Sequence, residues 1–428
     1  MTPSAALPLS PASFALILGL LLLAPLAIAG LALINTGLGR SRSAAQSLLG
    51  SLLTISSAVI AFALLGATFA GGPAAHIVSI VGKPWNLLGA APLALSHFAS
   101  AAPREQLGTL FEFLAVALAV LIPWGSGADR LRLFAGAALA AVFAAIVFPL
   151  AAHWIWGGGW LAQLGINFSL GAGFLDVGGA ATIHVLGGLS ALAVIWIAGP
   201  RKGKFPREGL STAIPGHNAI YVLFGCLIAL VGWLAFNLAG ALLWLSAAPT
   251  ALPVVAVNTV LSAAAALGAT FAVTRLRFGK PDATLCANGW LAGLVTSSAC
   301  AALVTPLQAV FTGLVAGIVT PLLVELLELA LSIDDPSGGL SVHAASGLWG
   351  LLAAGLFAPL PGQLIAQLLG VAAILGLLFP FTYLLFALLN RVLPFRVAPD
   401  GERLGMDLHE LGGNAYPEFV VHRDDSYR

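Results

Sequence analysis

Apolar runs of roughly 20 residues, long enough for a helix to cross a hydrocarbon core of about 30 Å, recur along nearly the whole chain. Short polar segments separate them. The pattern predicts an all-α polytopic membrane protein, with a transmembrane domain over residues 1–395 and a tail over 396–428. The eleven predicted spans are 12–35, 47–69, 106–124, 133–155, 178–198, 215–244, 251–273, 283–303, 307–331, 340–358 and 363–390.

The composition supports a membrane protein. Of 428 residues, 59% are hydrophobic and 8% charged, whereas an ordinary soluble domain is about 25% charged. A net charge of +1 gives no reason to expect nucleic-acid binding. Cys226, Cys286 and Cys300 lie in apolar stretches without metal or redox spacing, so we expect buried hydrophobic side chains, no metal and no cofactor. Residues 1–13 lack a positive n-region, so we expect a short tail rather than a cleavable signal.

The basic residues predict the orientation, because cytoplasmic loops carry an excess of lysine and arginine. Only Lys83 and Arg104 of the 18 fall on the side that includes the amino end. We therefore expect the amino end outside and the carboxyl tail in the cytoplasm. The residues on the inner side are Arg40, Arg42, Arg130, Arg132, Arg201, Lys202, Lys204, Arg207, Arg275, Arg277, Lys280, Arg391, Arg396, Arg403, Arg423 and Arg428.

Two distant segments, residues 176–189 and 335–348, share one pattern. Each places Asp eight residues before His, a hydroxyl residue two before it, and Gly-Leu four and five after it. They begin predicted spans five and ten, which run in opposite directions. We therefore predict an inverted repeat of five plus five spans with one extra helix, and a functional site at the repeat interface near mid-membrane.

The two histidines of this pattern, His184 and His343, carry the clearest candidate chemistry. An ionisable group inside a span usually faces a cavity or a partner. Two neutral imidazoles can share a proton along a line of hydrogen bonds and still contact a small polar solute. The alternative is that each histidine only bonds a neighbouring helix. The shared context favours a joint role in a pore.

The aspartates of the pattern stand just before helical runs, where a carboxylate caps free backbone N–H groups. Asp335 is interpreted as a cap. Asp176 is either a cap or part of a cation entrance, because it faces the predicted outer side.

Aromatic residues gather on the predicted outer side. Tryptophan is common there as an interfacial anchor, but an indole face also holds a small cation by cation–π attraction. Asn237 and Asn258 lie inside spans and are interpreted as links between helices. The aromatic residues are Trp154, Trp156 and Trp160 around three glycines, followed by Trp233 and Phe236.

These residues resemble the ammonium transporter (Amt/Rh) family, over about 16–416. The resemblance implies a bacterial inner-membrane homotrimer with eleven helices per subunit and one pore for ammonium or ammonia in each. It also implies a regulator of the PII type at the cytoplasmic tail. The matching blocks are His-Trp-Ile-Trp-Gly-Gly-Gly at 153–159, 176–184, Gly-Trp-Leu-Ala-Phe-Asn at 232–237, Val-Asn-Thr at 257–259, Asn-Gly-Trp-Leu-Ala-Gly-Leu-Val at 288–295, 334–350 and Gly-Gly-Asn-Ala-Tyr at 412–416.

The resemblance assigns roles position by position. His184 and His343 match the twin histidines of the pore, Asp176 matches a structural aspartate near the vestibule, and Trp156 matches the tryptophan that recruits the cation. Trp233 falls in the same recruitment and gate region. The aromatic positions at the pore mouth are Phe111 and Phe236.

The chain departs from the family pattern at its outer end. Ala115 stands where the family usually has a phenylalanine of the outer gate, and Gly240 replaces a serine of the recruitment site. Glu112 replaces a usual glutamine, and Leu-Ile-Asn-Thr-Gly at 33–37 replaces Phe-Tyr-Gly-Gly. These changes concern recruitment and gating and leave the histidine pair intact.

Three functions remain open at this point. The first is a passive conduit for ammonium or ammonia, without direct ATP drive because no phosphate-binding Gly-x-x-x-x-Gly-Lys loop occurs. The second is an ion-coupled secondary transporter of another solute, with Glu112 as the ion-binding carboxylate. The third is a sensor that kept the fold and lost flux, although about 35 residues after the last span are too few for an ordinary domain. None of the three is an enzyme.

Overall fold

The computed structural model of the chain describes residues 9–72, 77–206 and 211–416. Three residues of the orientation argument, Arg207, Arg423 and Arg428, lie outside these ranges. The all-α polytopic fold is confirmed. The long helices are α1 (Pro11–Leu38), α2 (Ser41–Ala70), α3 (Pro103–Gly127), α4 (Leu133–Ile155), α5 (Ala180–Ala198), α6 (Ala219–Leu243), α7 (Pro249–Phe278), α8 (Ala283–Cys300), α9 (Pro306–Ala330), α10 (Gly339–Phe357) and α11 (Gln363–Val392).

Each predicted span coincides with one of these helices, but α8 differs in character. Ten helices of the described ranges are long and apolar enough to cross a membrane, and α8 is not among them. From residue 291 to its end α8 is wholly buried, between α6, α7, α9 and α10, and it carries the buried hydroxyls of Thr296, Ser297 and Ser298. A helix enclosed by its neighbours needs little lipid-facing apolar surface. The count of eleven spans remains a prediction.

A small hairpin lies between α2 and α3. Strand β1 (Ile77–Ile80) pairs antiparallel with β2 (Lys83–Asn86), so that Ile77 faces Asn86. Trp85 of β2 packs against Phe168 of the short helix Leu164–Phe168, with 5.5 Å between ring centroids.

The basic end of the bundle, which carries Arg40, Arg130, Arg201 and Arg277, is tied by a buried ion network. Arg201 lies 2.9 Å from Asp334 and 3.2 Å from Asp129, and Arg130 lies 3.4 Å from Asp334. Burial alone would raise the pKa of Asp334, but the two arginines lower it to about 2. The network joins the loops before α4, α6 and α10.

The tail folds back onto this basic end. The Asp407 carboxylate accepts hydrogen bonds from the backbone N–H groups of Gln46 (2.7 Å) and Ala45 (3.2 Å), at the point where the 3-10 turn that opens α2 gives way to α-helix. Glu410 accepts one from the N–H of Leu133, the first residue of α4, at 3.0 Å. The tail thus supplies acceptors for free donors at two helix starts.

Helices α5 and α10 cross at the centre of the bundle. Their matched glycines permit the close approach. A Cβ on Gly188 would lie 2.4 Å from the carbonyl oxygen of Gly339, and one on Gly347 would lie 2.9 Å from that of Ala180. The two sequence repeats therefore meet where the inverted-repeat interpretation predicts their interface.

Candidate functional site

The two histidines meet at the α5–α10 crossing. Nδ1 of His184 lies 3.2 Å from Nδ1 of His343, and the two ring centroids are 5.2 Å apart at an interplanar angle of 19°. Each residue is 1% exposed. The sequence prediction that the repeats bring these side chains together is confirmed.

The local backbone explains how each ring reaches the crossing. Both histidines lie in π-helical turns at the start of their helices, Ala180–Val185 and Gly339–Ala344. A glycine with positive φ precedes each turn, Gly179 at +94° and Gly338 at +75°. Such backbone is costly for other residues, and π-turns are frequent at functional sites.

Asp176 holds the first of these turns. Its carboxylate accepts hydrogen bonds from the N–H groups of Gly179 (3.1 Å), Ala181 (3.0 Å) and Thr182 (2.9 Å), and from the Thr182 hydroxyl (3.0 Å). The cap interpretation of Asp176 is confirmed. Its oxygens point into the turn that carries His184.

Asp335 holds the second turn in the same way. It accepts from the N–H groups of Gly339 (2.8 Å), Leu340 (2.9 Å) and Ser341 (3.1 Å), and from the Ser341 hydroxyl (3.1 Å). The hydroxyl two residues before each histidine, noted in the sequence, therefore binds the aspartate at the head of its repeat.

The contact between the two histidines determines which ring nitrogen of each neutral imidazole carries the proton. Two facing Nδ1 atoms form a hydrogen bond only when one donates and the other accepts. The donor ring then presents Nε2 as an acceptor, and the other ring presents Nε2–H as a donor. Nε2 of His343 is buried without a hydrogen-bond partner in the described residues. The pair thus offers a small polar solute one donor and one acceptor. These roles exchange only when the shared proton crosses between the Nδ1 atoms and, in addition, one Nε2 loses a proton while the other gains one.

Trp233 lies against this pair. Its indole stacks on the His184 ring, with centroids 5.2 Å apart and planes 4° from parallel. Its Nε1 is buried and has no partner within the described ranges. The sequence analysis grouped Trp233 with the outer gate, whereas the structure places it beside His184.

The other aromatic residues of the prediction form one group around Phe111. The Phe111 ring meets the rings of Trp156 and Phe236 edge-to-face, at centroid distances of 5.2 and 5.3 Å. The indole N–H of Trp156 donates to the Asp176 carbonyl oxygen at 2.7 Å. Trp244, the residue after α6, joins the group by stacking on Trp156 at 5.3 Å and 6°. We call Phe111, Trp156, Phe236 and Trp244 the aromatic cluster.

Sequence reasoning missed Trp244, although a signal for it was present. Trp244 lies four residues after Gly240, and residues four apart share a face of a helix. Because Gly240 matches a recruitment position, the same face at the end of α6 was the place to look for a further ring.

The polar residues inside the bundle differ in whether their side chains are hydrogen-bonded to neighbouring segments. Asn237 donates to Thr259 and Ser297 at 2.9 and 3.0 Å, and Asn258 donates to two backbone carbonyls beyond α8. Their prediction as links between helices is confirmed. Glu112 is 7% exposed, and its carboxylate accepts no hydrogen bond from the described residues.

Gly240 allows a close backbone approach. A Cβ at this position would lie 1.9 Å from the carbonyl oxygen of Val177, the residue after Asp176. The serine usual in the family cannot be placed here without moving α6 or the segment that leads to His184.

The described residues form a helical membrane bundle in which the buried histidines of two similar segments meet where α5 crosses α10. The chain matches the Ammonium Transporter Family over residues 13–416. It is 35% identical to "Ammonium transporter Amt2" of Archaeoglobus fulgidus, over 92% of this chain and 85% of that protein, and 29% identical to "Ammonium transporter" of Bacillus subtilis, over 91% and 95%. The chain belongs to the ammonium transporter family.

Solved structures give the same assignment. "Sensor Amt Protein" superposes with a TM-score of 0.84 at 27% identity, covering 93% of this chain and 98% of that one. Mep2 of Candida albicans superposes with a TM-score of 0.77 at 24% identity, covering 98% and 93%, which shows the shared fold.

Proposed function

We propose that the chain carries ammonium or ammonia across the membrane through a pore lined by His184 and His343. The 3.2 Å contact between the two Nδ1 atoms is the observation that carries this proposal. Both rings are buried where α5 and α10 cross, and in transporters built from inverted repeats the substrate site usually lies at the interface of the repeats.

Desolvation disfavours a bare cation at the centre of the bundle. In the proposed path the ammonium ion gives its proton to the Nε2 that lacks one, the shared proton crosses from one Nδ1 to the other, and the Nε2–H of the second ring releases a proton towards the inner side. Ammonia passes beside the two rings as a neutral molecule. Trp233 forms a wall beside His184 and contributes its unpartnered indole N–H.

At the proposed outer entrance, Trp156, Phe111 and Phe236 recruit the cation. The Phe111 ring contacts each of the other two, and an indole face attracts a small cation. Asp176 contributes to this entrance by fixing the backbone of the turn that follows it, and its carbonyl oxygen accepts from the Trp156 indole N–H. At the other end, a cavity of about 660 Å³ bordered by Asn288 and Asp335 offers an exit.

We further propose a homotrimer in the inner membrane of a bacterium, with the basic end in the cytoplasm. Residues 1–395 form the transport domain and 396–428 the cytoplasmic tail, which meets a regulator of the PII type. The support is the basic loops, the family, and the docking of Asp407 and Glu410 on the basic end.

The test is current recording on a solid-supported membrane after an ammonium jump, with purified protein in proteoliposomes. We expect a saturating current that needs no sodium gradient. A current that requires sodium, or uptake of another solute, would support an ion-coupled secondary transporter with Glu112 as the ion-binding carboxylate. Ammonium binding without any current would support the sensor reading, and either result would reject the proposed conduit.

A further inference from the structure

We propose that Trp244 is a lid on the outer cation site, covering the face of Trp156 on which an ammonium ion would otherwise sit. The proposal rests on the proposed function, since it concerns how the same path captures its ion. It adds a residue that the sequence resemblance does not assign.

The stack leaves no room for a cation between the two indoles. Their planes are 6° from parallel and their centroids 5.3 Å apart, which is a stacked arrangement. An ion held between two faces needs about the thickness of one more ring, because each cation–π contact keeps its own separation. One face of Trp156 is therefore occupied by Trp244.

Phe111 and the Asp176 carbonyl oxygen make two further contacts with Trp156. Phe111 stands at 86° to Trp156 and at 90° to Trp244, and its ring contacts both indoles. The Trp156 N–H is committed to the Asp176 carbonyl oxygen. Gly240 brings α6 against Val177 where the family serine would stand. Trp244 and Phe111 thus cover part of the Trp156 ring, which keeps some exposure.

Trp244 is the member of the stack that can move. Trp156 is fixed by its 2.7 Å hydrogen bond, whereas Nε1 of Trp244 has no partner among the described residues. The backbone around Trp244 is held instead: the Arg104 guanidinium donates to the Leu243 carbonyl oxygen and, at 2.9 Å, to the Ser246 hydroxyl. Rotation of the Trp244 side chain would uncover Trp156 while the end of α6 stays in place.

A stacking contact and an exposed cation–π contact are of similar strength. Rotating Trp244 away from Trp156 therefore costs much of the free energy that the cation–π contact at Trp156 gains. Replacing Trp244 by Ala should free the site and lower the dissociation constant for ammonium by about two- to fivefold, the range of one exposed cation–π contact.

The test uses the full chain and four variants: Trp244→Ala, Trp156→Leu, the double variant, and Trp160→Ala as control. Trp160 packs on Trp154 outside the aromatic cluster. Two readouts are compared, the half-saturation of the ammonium current and the dissociation constant from isothermal titration with ammonium chloride against sodium chloride.

We expect tighter binding in Trp244→Ala, no gain in Trp160→Ala, and loss of the gain in the double variant. Trp156→Leu should then raise the dissociation constant for ammonium by a larger factor in the Trp244→Ala background than in the parent. Unchanged or weaker binding in Trp244→Ala, additive effects of the two substitutions, or no ammonium binding by any variant would each overturn the lid. If the parent binds ammonium but carries no current, the proposed transport is rejected. The dissociation constants of the variants would still show whether Trp244 acts as a lid.

Discussion

Removing the Asp176 carboxylate should destabilise the turn that carries His184. Asp176→Ala leaves three backbone N–H groups without their acceptor, at positions where the parent distances are 2.9 to 3.1 Å. An unsatisfied buried donor costs about 1–3 kcal/mol, so at the lower end of that range the three together cost about 3 kcal/mol. Asp176→Asn retains one side-chain oxygen, which can accept from the Ala181 and Thr182 N–H groups that Oδ2 serves in the parent. The Gly179 N–H loses its acceptor, and the free energy of unfolding should fall by about 1 kcal/mol, the value of a single neutral hydrogen bond.

The assay is unfolding of the detergent-purified variants, followed by ammonium currents from the same preparations. If Asp176 acts through the turn, stability and maximal current fall together, in the order Ala below Asn below parent, and half-saturation stays near that of the parent. Asp335→Ala is the matched comparison, because its carboxylate holds the repeat-related turn with the same four kinds of donor.

A direct role of Asp176 in attracting the cation would give another pattern. Asp176→Asn would then raise half-saturation while the free energy of unfolding stays unchanged. That result would refute the reasoning from the hydrogen bonds of the turn.

Three further outcomes are expected. Asp334→Asn should lower the free energy of unfolding at neutral pH by about 3–5 kcal/mol, because it takes the Asp334 charge away from the buried Arg130 and leaves Arg201 with Asp129. Burial raises the Asp334 pKa and the arginines lower it, to about 2 against roughly 4 in the unfolded chain. The contribution is therefore complete above about pH 4 and is lost as pH falls towards 2, so parent and variant should converge in acid melting curves. Gly240→Ser should reduce the yield of folded protein, whereas Gly268→Ser, with nothing within 4 Å of its Cβ position, should not, and equal yields by size-exclusion chromatography would contradict the close approach. A PII-type regulator should be pulled down by the full chain and not after deletion of residues 404–428, and absence of binding under every nucleotide condition would reject that partner.

The sequence predicted the parts of the site that depend on local pattern. The shared spacing of Asp, hydroxyl and His in two segments indicated that His184 and His343 meet. The inverted repeat that it also indicated stays a prediction. The same spacing indicated helix caps, because a carboxylate just before an apolar run has few other partners. Span positions followed from hydropathy, except that α8 is enclosed by protein and its composition reflects this burial.

The sequence did not predict features that depend on contacts between distant helices. The stack of Trp244 on Trp156 and that of Trp233 on His184 join different helices, and no local periodicity encodes them. The resemblance suggested that Gly240 merely lacks a hydroxyl, whereas the structure shows that it admits the Val177 carbonyl oxygen. The π-turns that carry the two histidines coincide with an Asp cap and a positive-φ glycine, a combination that neither residue type indicates alone.

The central claim is that His184 and His343 act together in the pore, and His343→Ala tests it most directly. Ammonium-jump currents should be compared for the parent, His343→Ala and His97→Ala, a control in which the lost histidine pairs with Glu105 away from the bundle centre. The variant should express and assemble nearly as the parent does, because the missing ring leaves the Asp335 cap in place. We expect His343→Ala to lose the proton-linked ammonium current while His97→Ala retains it. Unaltered and equally selective ammonium transport in His343→Ala would contradict the account.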